Sequence, residues 1–111
     1  MRDYNFYQRQ IIKLFGGIHL SGCVALAHMM VHYKLGDNLT DTRVKVAEVM
    51  GSTPIAIERV VRTYVEEVVM ETYDLTTLSN LLDYEFKTGK NGVIISEFIP
   101  ALKLLLDKIE E

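Results

Sequence analysis

The sequence predicts an all-α fold, a six-helix bundle containing a helix-turn-helix. Three observations carry that expectation. Apolar residues recur at helical spacing in six separate segments. Those segments are bounded by glycines and by residues that cap helices. The one stretch with strand-like chemistry, at about 84–95, is long enough only for a short hairpin.

The first helix covers about 4–15, "YNFYQRQIIKLF", and stops at Gly16-Gly17, since glycine readily ends a helix. The second covers about 20–35, with Leu20, Val24, Ala27, Val31 and Leu35 on one stripe, and closes at Gly36. The third runs over 42–50, starting after Thr40 or Asp41 and ending at Gly51. The fourth runs from about 54 to 72. The fifth, 75–83, has Asp74 or Thr76 as its cap and repeats Leu75, Leu78 and Leu82 at helical spacing. The last runs over about 97–110, with Ser96 as the expected N-cap. Pro100 is then expected in or near the first turn, where a missing N–H does least damage. Between the last two helices, Gly89 and Gly92 with Tyr84, Phe86 and Val93 to Ile95 supply the hairpin chemistry.

The 111 residues suit one domain spanning 1–111. A hydrophobic share of 49% supports a packed core over a disordered chain. A single cysteine, Cys23, cannot form an internal disulfide, which suits a reducing cytosol. The opening "MRDYNFYQRQ" lacks the apolar core of a signal peptide. The apolar run "GCVALAHMMV" is too short to span a bilayer. The net charge of -3 argues against a wholly basic nucleic-acid binder, but it is unevenly spread. Residues 1–63 balance at +3 and residues 64–111 at -6, an asymmetry that hints at one face for a polyanion.

The run "RVKVAEVMGSTPIAIERVVR", 43–62, meets the demands of a helix-turn-helix. Two helices meet across a very short turn. Ala47 is small where the second helix crosses the first. Gly51 tolerates the left-handed backbone the turn requires. Ser52 or Thr53 caps the second helix and Pro54 fits its first position. Val46 and Met50, with Ile57, Val60, Val61, Tyr64 and Val68, point into the core. Ile55, Arg59, Arg62 and Glu66 fall on the opposite face. Arginines near the front of such a helix can each make two hydrogen bonds to guanine in the major groove, and Ile55 can touch a thymine methyl. The rear glutamates Glu66, Glu67 and Glu71 leave the groove. Glu58–Arg62 and Arg62–Glu66 are also i,i+4 pairs, the ordinary decoration of a solvated helix face. His28 and His32 have the spacing of a helical metal pair but lack further ligands, so no metal and no cofactor is expected. No catalytic constellation can be assembled from the sequence, and no enzyme is expected.

The run "VAEVMGSTPIAIERVVRTYVEEVV", then "LSNLLDYEF" and "SEFIPALKLLLDKI", resembles the C-terminal DNA-binding effector domain of the sporulation master response regulators. The resemblance covers about residues 11–109 and is strongest over 43–69 and 96–109. It implies a six-helix, helix-turn-helix transcription factor that binds double-stranded promoter DNA as paired copies. Glu58, Arg59 and Arg62 match family positions on the recognition helix, so the resemblance gives the arginines DNA contacts. Two positions depart from the family pattern: its additional arginine is Ala56 here, and the histidine after its last arginine is Thr63. The 111 residues leave no room for the family's receiver domain, so either a fragment or a free-standing effector domain is expected, the opening "MRDYNFYQRQ" favouring the second. The expected contact set is Ile55, Glu58, Arg59 and Arg62, with Thr53 and Thr63 flanking them. Arg43 and Lys45 join it from the preceding helix, and Lys87 and Lys90 from the loop before the last helix.

The expected function is therefore a sequence-specific DNA-binding transcriptional regulator acting in the bacterial cytoplasm at the nucleoid. The alternative is a non-enzymatic protein-interaction module that keeps the helix-turn-helix without binding DNA. Leu104 lies outside the apolar stripe of the last helix, which suggests a weak homodimer formed on DNA.

Overall fold

The structure is a computed structural model that describes residues 2–17, 20–86, 88–89 and 92–109. It is all-helical apart from a minimal two-stranded ladder. The helices are α1 (Tyr4–Phe15), α2 (Ser21–His32), α3 (Leu39–Met50), α4 (residues 54–72), α5 (Leu75–Leu82) and α6 (Ile95–Asp107). Strands β1 (Thr88–Gly89) and β2 (Gly92–Val93) pair antiparallel between α5 and α6, where the hairpin was expected. No described helix is long and apolar enough to cross a membrane.

Local chemistry sets most boundaries. Asp3 starts α1 by accepting the Phe6 N–H at 2.9 Å. The helix buries Phe6, Tyr7, Gln10, Ile11 and Phe15 along one stripe. Its last carbonyls are met from across the bundle: the Tyr73 hydroxyl donates to Leu14 O at 2.9 Å and the Tyr64 hydroxyl to Gly16 O at 2.6 Å. Asp74 starts α5 by accepting the Thr77 N–H at 2.7 Å. That hydrogen bond also holds the Asp74 carboxyl below its usual range.

Helix α2 differs from its expected form. It is shorter at both ends, and Leu20 and Leu35, assigned to its buried stripe, are exposed. Its buried residues are Gly22, Cys23, Ala25, Leu26, Ala27, Met29 and Met30, which leave almost no polar face. A helix enclosed by neighbours has no single stripe to read, and α2 packs against α1, α3 and α4. At Tyr33 the backbone turns extended, at φ -81° and ψ 133°.

The helix-turn-helix is formed by α3 and α4. Helix α3 begins three residues earlier than expected. Asn38, not Thr40 or Asp41, is its cap, accepting the Thr40 N–H at 2.8 Å. It ends at Gly51 in the left-handed conformation, at φ 63° and ψ 42°. The Ser52 N–H reaches back to Ala47 O at 2.9 Å and the Gly51 N–H to Glu48 O at 3.4 Å, which together make a Schellman closure. Thr53 then caps α4, accepting the Ala56 N–H at 3.2 Å, with Pro54 in the first position. Val46 and Ala47 from α3 and Ile57, Val61 and Tyr64 from α4 are buried. Ala47→Leu is expected to overpack this junction and cost about 1–3 kcal/mol. Urea unfolding of both proteins checks it; equal midpoints would remove Ala47 from the packed crossing.

Helix α4 is not uniform. After Pro54–Tyr64 it widens into a π turn over Val65–Val69 and resumes as Met70–Thr72. The wider turn brings Val65 and Val69 fully into the core and leaves Val60 and Val68 half-buried. A period of 3.6 extended through this segment puts Val68 where Val69 belongs.

Helix α6 also starts earlier than expected. Ile94, not Ser96, precedes its first turn, and its carbonyl accepts both the Glu97 and the Phe98 N–H at 3.0 Å. Pro100 therefore lies in the second turn of the helix, beyond the expected first. Proline there removes one bond, the one to the carbonyl four residues back. That carbonyl belongs to Ser96, which is exposed and can bind water instead. Phe98, Ile99, Leu102 and Leu106 fill the core from α6, with Leu105 and Ile109 at its margin. Leu104 stays 44% exposed.

Candidate nucleic-acid interface

Because Ile57, Val61 and Tyr64 face inward, helical geometry turns the intervening residues outward. Ile55, Glu58, Arg59, Arg62, Thr63 and Glu66 line one open depression of about 280 Å³ on the outer face of α4. Five of these six belong to the expected contact set. Ile55, at the front of the helix, is 70% exposed. The positive end of the α4 dipole lies beside it.

Charge within the depression is mixed. Arg62 Nη2 donates to Glu58 Oε1 at 2.6 Å. This is the solvated i,i+4 pair that the spacing allows, and such exposed pairs are worth only about 0.2–1 kcal/mol. Arg62 can therefore leave Glu58 for a stronger anion at little cost. Arg59 pairs with no carboxylate among the described residues.

The other expected contacts are placed less uniformly. The Thr53 side-chain oxygen is occupied by its capping bond to Ala56. Arg43 and Lys45 stand on α3, the first half-buried and the second exposed, and neither lines the depression. Lys87 and Lys90 lie outside the described residues.

A feature that sequence reasoning missed adjoins Arg59. Leu20, Gly22, Val60, Tyr64 and Val68 line a narrow groove of about 190 Å³ between the start of α2 and α4, with Arg59 and Glu67 also on its walls. The groove follows from the close approach of the two helices at Gly22. A glycine in the first turn of a helical pattern, where no left-handed backbone is needed, was the available signal.

His28 stacks on Tyr4 with ring centroids 4.3 Å apart, and burial, with His32 nearby, lowers its pKa below the usual imidazole range. Cys23 is fully buried beside Tyr64, and burial pushes its thiol pKa up. A buried thiol of raised pKa is a poor nucleophile. Among the described residues no three His, Cys, Asp or Glu side chains come together to hold a metal.

No protein-family model, curated protein or solved structure matches this chain.

Proposed function

We propose that the chain is a sequence-specific DNA-binding regulator of transcription, without enzymatic activity, related to the sporulation effector domains it resembles. The observation that carries this reading is the outward face of α4, with Ile55, Arg59 and Arg62 directly after a Schellman-closed turn. In this reading α4 enters the major groove front first. Arg59 and Arg62 reach guanine edges, Ile55 meets a thymine methyl, and Arg43 and Lys45 approach flanking phosphates. Leu104 on α6 offers the exposed apolar contact for a weak dimer on paired half-sites.

Selection of bound sites from random DNA is the direct test, followed by Arg59→Ala and Arg62→Ala on the selected site. Each variant is expected to fold normally, lose about 1–3 kcal/mol of binding and relax preference at one base position. Uniform loss across sequences would mean phosphate contact. No enrichment of any sequence would remove the DNA reading. Sedimentation on a two-site duplex, with Leu104→Glu as the variant, separates cooperative pairs from independent monomers.

The second reading is a protein-interaction module. It is favoured by the Glu58–Arg62 pair and by Val44 and Val49 on α3, which are exposed along with Ile55. A pulled-down protein partner whose binding depends on Ile55, together with a failed DNA selection, would establish it.

A further inference from the structure

The far end of α2 carries a different assembly. Arg2, Tyr7 on α1, Tyr33 and Lys34 just after α2, and Lys103 and Asp107 on α6 surround an open cavity of about 480 Å³. That size lies within the usual range of about 300–1,000 Å³ for small-molecule pockets. Three cations face one carboxylate, in a protein whose net charge is -3.

The cations are held in different ways. The Lys103 side chain is only 12% exposed. Its Nζ donates to the Tyr7 hydroxyl at 2.7 Å and to Met30 O at 2.5 Å. Asp107 Oδ2 stands 3.7 Å away, and the other oxygen of that carboxylate accepts the Tyr7 hydroxyl at 2.7 Å. Lys103 is thus fixed mainly by neutral acceptors. Burial lowers its pKa more than Asp107 raises it, so its ammonium is short of compensating charge. Arg2 lies over the Phe6 ring, 4.2 Å from its centroid, and donates to the Ile109 carbonyl. Lys34 is exposed, and its backbone N–H binds the Asp37 carboxylate at 3.0 Å. Beside these cations the cavity wall is apolar. Val31 is half-buried, Tyr33 is buried, and Leu35 is 54% exposed.

We propose that this cavity binds a small organic oxyanion, with its carboxylate or phosphate against Arg2, Lys34 and Lys103 and its apolar body along Val31, Tyr33 and Leu35. A bound oxyanion supplies the charge that Asp107 alone does not. Leu35 and Val31 then cover an apolar body in place of facing water. The site does not depend on the DNA reading. It lies about 13 Å along α2 from Gly22, where α4 crosses, at 1.5 Å per residue.

Two-dimensional NMR titration at low salt tests the proposal with four probes. Benzoate and phenyl phosphate each carry charge and body, inorganic phosphate carries charge alone, and benzyl alcohol carries body alone. The expected result is saturable shifts at the Val31, Tyr33, Lys34 and Leu35 amides with benzoate, phenyl phosphate or both, and weaker binding of the two partial probes. Which of the two full probes binds tighter assigns carboxylate or phosphate. Lys34→Glu is expected to weaken binding about tenfold, the loss of one charge-assisted contact, and Arg59→Ala to leave it unchanged. Shifts that never saturate, equal affinity in Lys34→Glu, or shifts centred on α4 would overturn the proposal. Failure of DNA selection would leave this result unaffected.

Discussion

Gly22→Ala is expected to destabilise the protein by about 3 kcal/mol, although the same change in an ordinary helix interior stabilises by about 1 kcal/mol. The sign is reversed by what an added Cβ would meet. It would lie 2.5 Å from the Val60 carbonyl oxygen and closer still to Tyr64 Cβ. Neither atom can rotate away, because one is backbone and the other is fixed by it. Helices α2 and α4 would have to separate, and α4 is the helix that presents Arg59 and Arg62. Truncating Tyr64 to alanine gives no relief, since alanine keeps the offending Cβ. Urea unfolding followed by circular dichroism measures the loss. A midpoint equal to or above that of the parent would mean that the helices part without cost.

Tyr64→Ala is expected to cost about 3–5 kcal/mol, and Tyr64→Phe about 1–3 kcal/mol. The ring is 2% exposed and packs where α1, α2 and α4 meet. Its hydroxyl satisfies the Gly16 carbonyl at the end of α1. Alanine removes both ring and hydroxyl, while phenylalanine removes only the hydrogen bond and leaves the carbonyl without that donor. The two variants together separate packing from polar satisfaction. Identical losses for both would assign the whole effect to the hydroxyl. No loss for Tyr64→Phe would show that water reaches Gly16 O.

What the sequence made legible was local. Gly51 announced the turn, and Ser52 or Thr53 the start of α4, because such roles are settled within a few residues of backbone. The same holds for the start of α5, offered to Asp74 or Thr76, and for the stop of α1 at Gly16. Where two local candidates competed, spacing did not choose between them. Asn38 took the α3 cap ahead of Thr40 and Asp41, and Ile94 preceded α6 where Ser96 had the better side chain. The buried residues of α2 were hidden because that helix is enclosed, so its periodicity carries no face. The π turn was hidden for a related reason: the three valines within Val65–Val69 look equally apolar, and only the surrounding core decides which two are buried.

The outward set on α4 was legible from Ile57, Val61 and Tyr64, since fixing the inner face fixes the outer one. The groove beside Arg59 was not, because it exists only where α2 and α4 touch. The cavity around Lys103 was equally invisible. Its members come from positions 2 to 107, and no short spacing relates them.

The wide turn in α4 also bears on how this chain can change length. A turn that holds one residue more than an α-helical turn can lose that residue and close to regular helix, with the flanking segments still in register. Within 65–69, then, a one-residue deletion leaves Arg59 and Arg62 on one side and Tyr73 on the other where they were. The same deletion within Pro54–Tyr64 rotates everything after it by about 100° and takes the inner face out of the core.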